Sequence, residues 1–308
     1  MNMIFRHEYT NGVWVDIEQP DENEIRQIAE EFSIEERIER ELLSPTPIPL
    51  VAGGSDMALL VLHFPTHGGQ EGETKSQEID FVVGKNFTVT VRYEIVAPVH
   101  HLKKLLETQA LVEGKARITT DALIEILFSH LYTSMRDHAN HVVESLARVE
   151  KQMFDGHEKE AVRAISNISR EFLHVEASLA NQEEPLKRFL AALSENNFFN
   201  HSFLARTQRV LAERQLTERL VKTHRAVATE MRETNNALLN AKQNEIIKIL
   251  TVVSFIFLPL ALIAKIFAMK VDDMPFIHDP NGFWIILGFM FLVAVLLTFF
   301  VSRKRWIS

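Results

Sequence analysis

IIKILTVVSFIFLPLALIAKIF, residues 246–267, and FWIILGFMFLVAVLLTFFV, residues 283–301, decide how this chain is read. The first run carries no charge between Ile249 and Ala264, and the second carries none at all. A bilayer core of roughly 30 Å is crossed by about 20 apolar residues of helix. Two such runs, joined by a short acidic connection, predict a transmembrane hairpin over 246–308.

The flanks orient the hairpin. Lys242 and Lys248 precede or open the first run, and Arg303, Lys304 and Arg305 follow the second. The connection Val271–Gly282 holds Asp272, Asp273 and Asp279, with Lys270 at its edge. Lys and Arg concentrate on the cytoplasmic side of a membrane. Both ends of the hairpin are therefore expected in the cytoplasm, with the connection outside. Trp284 and Trp306 stand near the two ends of the second run, where interfacial anchors belong.

Roughly 240 of the 308 residues precede the hairpin, enough for one large domain or two small ones. Residues 1–10 have no apolar core, so no secretory signal is expected and this part is expected to stay cytoplasmic. The absence of cysteine excludes disulfides and thiolate metal sites. A formal net charge of −8 disfavours nucleic acid as a partner.

Residues 1–118 read as an α/β domain. Strands are expected at Val13–Ile17, Ala58–Phe64, Ile79–Val83 and Phe87–Tyr93, the last two joined by a Gly84-Lys85-Asn86 turn. Helices are expected at Asp21–Leu43, ended by the proline-rich Ser44–Pro49, and at Val99–Val112. Thr66–Lys75, with three glycines, reads as a hairpin tip.

From 119 to 245 the chain reads as a helical stalk. Asp121–Phe154 is a helix capped by Thr119 or Thr120 and broken at Gly156. Glu158–Leu193 is a second, bent or restarted at Pro185, and a loop follows at Asn196–Asn200. From Ser202 nothing interrupts the pattern before Pro259, which is already inside the first apolar run. One helix over Ser202–Phe267 would measure roughly 100 Å and would need partners along its length. The fold class is thus an α+β membrane protein: a cytoplasmic α/β domain, a stalk with one very long helix, and two C-terminal transmembrane helices.

Along the first run, Asn244, Ile247, Thr251, Ser254, Leu258, Ala261, Lys265 and Ala268 recur at steps of three and four. That spacing is one helix face, and it collects nearly all the polar residues of the span. Polar groups inside a membrane turn toward protein or water rather than lipid. A ring of hairpins would hide this face by lining a pore with it. The alternative is that Thr251 and Ser254 satisfy their own helix backbone and that Lys265 snorkels to the nearby interface.

The segment from Asn244 through Lys248 to Thr251, the Phe257-Leu258-Pro259-Leu260 stretch, and Met269 with Met274-Pro275 resemble the first span of the CorA magnesium transporters. The second span, ending in Arg303-Lys304-Arg305-Trp306, is similar too, as are the soluble order and the Gly84-Lys85-Asn86-Phe87 turn. The resemblance implies a funnel-shaped homopentamer in the inner membrane. Its first span would line the pore, Asn244 would meet the ion at the cytoplasmic end, and Ile247, Leu250 and Leu258 would form apolar rings. The cargo would be Mg²⁺ or another divalent cation, Zn²⁺ or Co²⁺ among them, and a divalent cation would also serve as the regulatory ion.

One departure stands out. Where the family carries Gly-Met-Asn, this chain has Ala268-Met269-Lys270. An asparagine ring offers amide oxygens to a hydrated cation and suits Mg²⁺, which sheds water reluctantly. A lysine ring offers no acceptor and repels a dication. Lys265 adds a second charge to the same face. Either these ammonium groups pair with Asp272 or Asp273, or the transported ion differs, or the pentamer is a non-conducting scaffold or regulator.

Elsewhere, His138 and His141 lie one helical turn apart and are weak candidates for a metal such as Zn²⁺. No phosphate-binding loop, triad spacing or paired catalytic carboxylate appears, so no enzyme is expected.

Overall fold

The computed structural model describes residues 3–54, 56–65, 76–113, 118–195, 198–200, 202–269 and 281–303. The chain divides into two compact units, residues 1–232 and 233–308.

The first unit is built on a six-stranded sheet of β1 (Met3–Tyr9), β2 (Gly12–Glu18), β3 (Leu50–Gly53), β4 (Met57–Pro65), β5 (Ser76–Gly84) and β6 (Phe87–Arg92). Their spatial order is β1-β2-β6-β5-β4-β3. Only β2 and β6 run parallel; the other neighbours are antiparallel. The β5–β6 turn also sets the start of β2, since the Val13 N–H donates to the Asn86 carbonyl at 3.1 Å. That approach requires glycine at position 12, where a Cβ would lie 2.2 Å from the Asn86 oxygen.

Side chains alternate across a strand, and here both faces are covered. On one face Val15, Ile17, Leu59, Val61, Val82, Val89 and Val91 share a core with Ile25, Ile28, Ile38 and Leu42. These last four come from α1 (Glu22–Glu31) and α2 (Glu36–Leu42). On the other face lie residues of α3 (Ala97–Glu113), α4 (Thr120–Phe154) and α5 (Glu158–Glu195). There Phe81 lies 5.1 Å from Phe128 and Phe64 lies 6.3 Å from Tyr132, measured between ring centroids. The Ser178 hydroxyl and the Gln182 amide of α5 both donate to the His63 carbonyl at 2.7 Å, past the end of β3. Double coverage explains why β4 reads as a nearly continuous apolar run.

The single helix expected over Asp21–Leu43 is two. After Glu31 the chain closes a Schellman turn: Ile34 N–H donates to the Ala29 carbonyl and Ser33 N–H to that of Glu30. Ser33 takes φ 52° there, the role glycine usually fills. Asp21 caps α1 with a reciprocal capping box to Glu24. α4 and α5 meet at Gly156, whose φ of 93° ends the first. Thr119 is the N-cap of α4 through its backbone alone. The Thr120 hydroxyl instead lies 3.0 Å from the Tyr9 hydroxyl and donates to the Lys85 carbonyl. α5 continues through Pro185 instead of restarting.

α6 (Ser202–Phe267) is one helix of 66 residues. Within the first unit it is tied to its neighbours by ion pairs. Arg206 meets Asp121 and Glu125, Arg136 meets Glu213, and Arg225 meets Glu176. Arg214, 4% exposed, donates to the Leu179 carbonyl and pairs with Glu183 and Glu218. The second unit holds the end of α6 and α7 (Gly282–Arg303). Both helices are long and apolar enough to cross a membrane, and only 6% of the apolar window of each is buried. A soluble core helix of that composition would be covered on most sides. The proposed hairpin tip Thr66–Lys75 lies outside the described residues.

Candidate functional site

The hairpin unit packs one face of α6 inward. Lys248, Val252, Ile256, Pro259, Ile263 and Phe267 recur at steps of three and four, with Val252 buried and the others half-buried. Among the described residues of this unit, Val252 and, on α7, Val301 are the most enclosed apolar side chains, 8% and 1% exposed. Phe255 and Phe300 stack with ring centroids 6.4 Å apart. At about 100° per residue, the stripe predicted to line something lies on the far side, centred roughly 140° from Val252. Asn244, Ile247, Thr251, Leu258, Ala261, Lys265 and Ala268 are exposed there, and Ser254 is half-buried. Leu250 and Met269 are exposed as well, at 63% and 60%. A third sector, with Ile246, Ile249, Val253 and Phe257, is exposed and wholly apolar. That sector suits acyl chains; the stripe does not.

The polar members of the stripe differ in what they need. The Thr251 hydroxyl donates to the Ile247 carbonyl one turn back at 2.8 Å, so its own helix satisfies it. The case for water or a partner therefore falls on Asn244 and Lys265. Lys265 stands in the last turn of α6, where the helix dipole favours a cation. The helix closes with Ala268 N–H donating to the Ala264 carbonyl and Met269 N–H to that of Ile266. Lys270, Asp272, Asp273 and Asp279 lie outside the described residues.

His138 and His141 take different partners. His138 Nε2 sits 2.8 Å from Glu171 Oε1 across the α4–α5 contact. The His141 side chain is 72% exposed, with Glu144 at 3.6 Å. Among the described residues no three His, Asp or Glu side chains gather as a metal site requires.

Sequence reasoning passed over the buried charges of the sheet. Asp16, fully buried, accepts from Thr90 Oγ1 at 2.7 Å, Arg92 Nε at 2.9 Å, Arg92 Nη2 at 2.7 Å and Lys103 Nζ at 2.9 Å. Burial pushes its carboxyl up, and the Arg92, Lys103 and Thr90 contacts together outweigh this and hold it below its ordinary value. The signal was an aspartate on the same face as Trp14 within a strand that is apolar on both sides.

A model of the family described as CorA-like Mg²⁺ transporter protein matches residues 10–305. The cobalt/magnesium transport protein CorA of Methanocaldococcus jannaschii is 22% identical over 303 residues, covering 96% of this chain and 91% of that protein. The protein of the same name from Thermotoga maritima is 20% identical over 285 residues, covering 92% and 80%. The complete structure of the M. jannaschii CorA magnesium transporter superposes with a TM-score of 0.82 at 19% identity, over 98% of this chain and 93% of that one. At that identity the superposition speaks for the fold: mixed sheet, long helices and two C-terminal apolar helices. With the family match running through the soluble sheet, the long helix and both membrane helices, the chain belongs to the family of CorA-like Mg²⁺ transporter proteins.

Proposed function

We propose that this chain transports divalent metal cations, Mg²⁺ first among them, passively across the inner membrane, with both termini cytoplasmic. The observation that carries the proposal is the stripe of α6 turned away from α7. Within one chain nothing of the described hairpin covers it, yet it bears Asn244 and Lys265. Closing several copies around an axis would bring it onto water; five copies are what the family resemblance implies. Asn244 would meet the ion with amide oxygens at the cytoplasmic end. Ile247, Leu250 and Leu258 would form apolar rings that conduct when wetted and close when dry. Asp272, Asp273 and Asp279 would gather cations outside and pair with Lys265 or Lys270.

The Ala268-Met269-Lys270 sequence favours a second reading, a non-conducting pentameric scaffold or regulator, or a branch that carries Zn²⁺ or Co²⁺. Flux from purified protein in liposomes, with Mg²⁺, Zn²⁺, Co²⁺, K⁺ and Cl⁻ offered separately, separates these. Mg²⁺ flux, increased by Lys270→Asn with Ala268→Gly, is the expected result. Zn²⁺ or Co²⁺ flux without Mg²⁺ places the chain in the divergent branch. No flux of any ion favours the scaffold, and chloride flux overturns the cation reading.

A further inference from the structure

On the α1–α2 face of the sheet, β5 places two carboxyl groups side by side. Glu78 and Asp80 are two residues apart on one strand and so share a face; they are 8% and 0% exposed. Glu78 is well provided for as an anion. Its oxygens accept the Thr46 N–H at 2.9 and 2.8 Å, and His63 Nε2, opposite it in register, is 3.5 Å away. The same His63 nitrogen sits 2.8 Å from the Thr46 carbonyl. The Glu78 partnership, with the Thr46 carbonyl, raises the His63 pKa against desolvation.

Asp80 is not provided for. No cation pairs with it among the described residues, and its Oδ1 meets no donor. Its Oδ2 lies 3.2 Å from the Tyr93 hydroxyl, which also lies 3.1 Å from the Leu42 carbonyl. Tyrosine has one hydroxyl hydrogen. If Asp80 is a carboxylate, two acceptors compete for that hydrogen and one is left short, deep in the sheet. If Asp80 is protonated, its O–H donates to the Tyr93 oxygen and Tyr93 donates to Leu42, and both contacts are made.

We propose that Asp80 is a buried proton-binding site, and that loss of its proton releases the segment from Leu42 to Thr46 from the sheet. The groups facing it are Glu78 on its own strand, Glu41 from α2 and Tyr93 after β6, with His63 of β4 beyond Glu78. Burial first, then the charge and hydrogen bond of Glu78 and the charge of Glu41, hold the Asp80 carboxyl well above its ordinary 3.8, against the Tyr93 contact. Burial, then Asp80, Glu78 and Glu41, raise the Tyr93 pKa, so the phenol keeps its hydrogen. A folded pKa raised above the unfolded one means that folding takes up a proton. The stability this confers is complete below pH 3.8 and is lost as pH climbs through the raised value. The proton leaves to water. The charge it leaves behind faces Glu78 and Glu41, and the Tyr93 hydrogen turns from Leu42 to Asp80. Leu42 ends α2 and Thr46 lies in the proline-rich segment, so both anchors of that segment feel the change. His63 reaches further, since its carbonyl holds Ser178 and Gln182 of α5.

The full chain in nanodiscs, with no divalent cation added, tests this by infrared difference spectroscopy and by hydrogen exchange at Thr46. Wild type at neutral pH should show the carbonyl stretch of a protonated carboxyl, and Asp80→Asn should lose it while melting at the same temperature or higher. The ratio of the Thr46 exchange rate in wild type to that in Asp80→Asn should stay near one at low pH and rise with pH. Should Asp80→Asn fail to fold, Tyr93→Phe must shift the frequency of the same band. A spectrum without the band at neutral pH, or a band that survives in Asp80→Asn, overturns the proposal. So does stabilisation of wild type, but not of Asp80→Asn, by added Mg²⁺, which would make Asp80 a cation ligand.

Discussion

Asp16→Asn removes the fully buried anion of the network that joins β2, β6 and α3, in which Glu18 also accepts from Arg92 at 2.7 Å. The change keeps the volume and takes away the anion. Arg92, fully buried, keeps only Glu18 as a carboxylate partner, and Lys103, 8% exposed, is left facing an amide that can accept from one side only. Breaking a buried pair at one partner costs about 3–5 kcal/mol, because the remaining charge stays out of water. A urea slope of about 2 kcal/mol per M for a domain of this size converts this to a fall in midpoint of roughly 1.5–2.5 M. Trp14 supplies the reporter: its Nε1 donates to Thr90 Oγ1 at 3.0 Å, which in turn donates to Asp16. The chain has three tryptophans, so a Trp284→Phe, Trp306→Phe background leaves Trp14 alone. The pH dependence has a definite sign. The folded pKa of Asp16 is depressed, so its contribution is present above 3.8 and lost as pH falls below it. The difference between wild type and Asp16→Asn should therefore be constant near neutral pH and shrink in acid. Replacing the whole group by Asp16→Leu, Glu18→Gln, Arg92→Met and Lys103→Met should recover most of the loss. A midpoint shift under about 0.5 M for Asp16→Asn at neutral pH would refute the reasoning.

Three further outcomes are expected. Gly12→Ala should destabilise the soluble unit by about 1–3 kcal/mol, because the new methyl would lie 2.2 Å from the Asn86 carbonyl oxygen; thermal melting of the purified chain measures it. Gln182→Ala should cost roughly 1–3 kcal/mol, since it leaves the buried Tyr132 hydroxyl without its 3.1 Å acceptor and the His63 carbonyl with Ser178 alone; an unchanged midpoint would show that water replaces the amide. Lys265→Ala should raise divalent flux in liposomes more than tenfold. A dication passing an ammonium at about 5 Å in water meets roughly 1.7 kcal/mol of repulsion, and flux that is unchanged or lower would place Lys265 off the ion's path.

Much of the fold was legible because its elements are long or sharply punctuated. The extent of α6 follows from the lack of any breaker between Ser202 and Pro259, a proline already inside the apolar run that carries the helix on to Phe267, and the turn-side ends of β5 and β6 follow from the turn between them. The losses have local causes. β1 mixes Arg6, His7 and Glu8 with its apolar residues, and only pairing with β2 makes it a strand. β3 has four residues at the sheet edge beside a proline run, too short to show alternation. The break after α1 rests on Ser33 in a left-handed conformation, which carries no sequence signature of the kind glycine gives.

The candidate site divides along the same line between local and non-local information. Which face of α6 is polar is a property of spacing, and the structure adds that α7 covers a different face. That separation gives the stripe its meaning. Had Val252 and Lys265 shared a sector, the ammonium could have been answered by α7 alone and a single hairpin would suffice. They lie instead roughly 140° apart, and Lys265 is exposed. Thr251, which spacing made look equally demanding, is answered by its own backbone. An intramembrane charge costs about 2.5–3.5 kcal/mol at mid-helix and less toward an end. Lys265 can escape part of this by reaching the interface, whereas Asn244, at the other end of the stripe, already stands near charged neighbours. The pressure to cover the stripe therefore comes mostly from its outer third. A copy carrying Lys265→Leu should associate more weakly in lipid if the ammonium is held at a water-filled axis by its neighbours' acids, and more strongly if it only snorkels. Crosslinking of the reconstituted chain reads that difference directly.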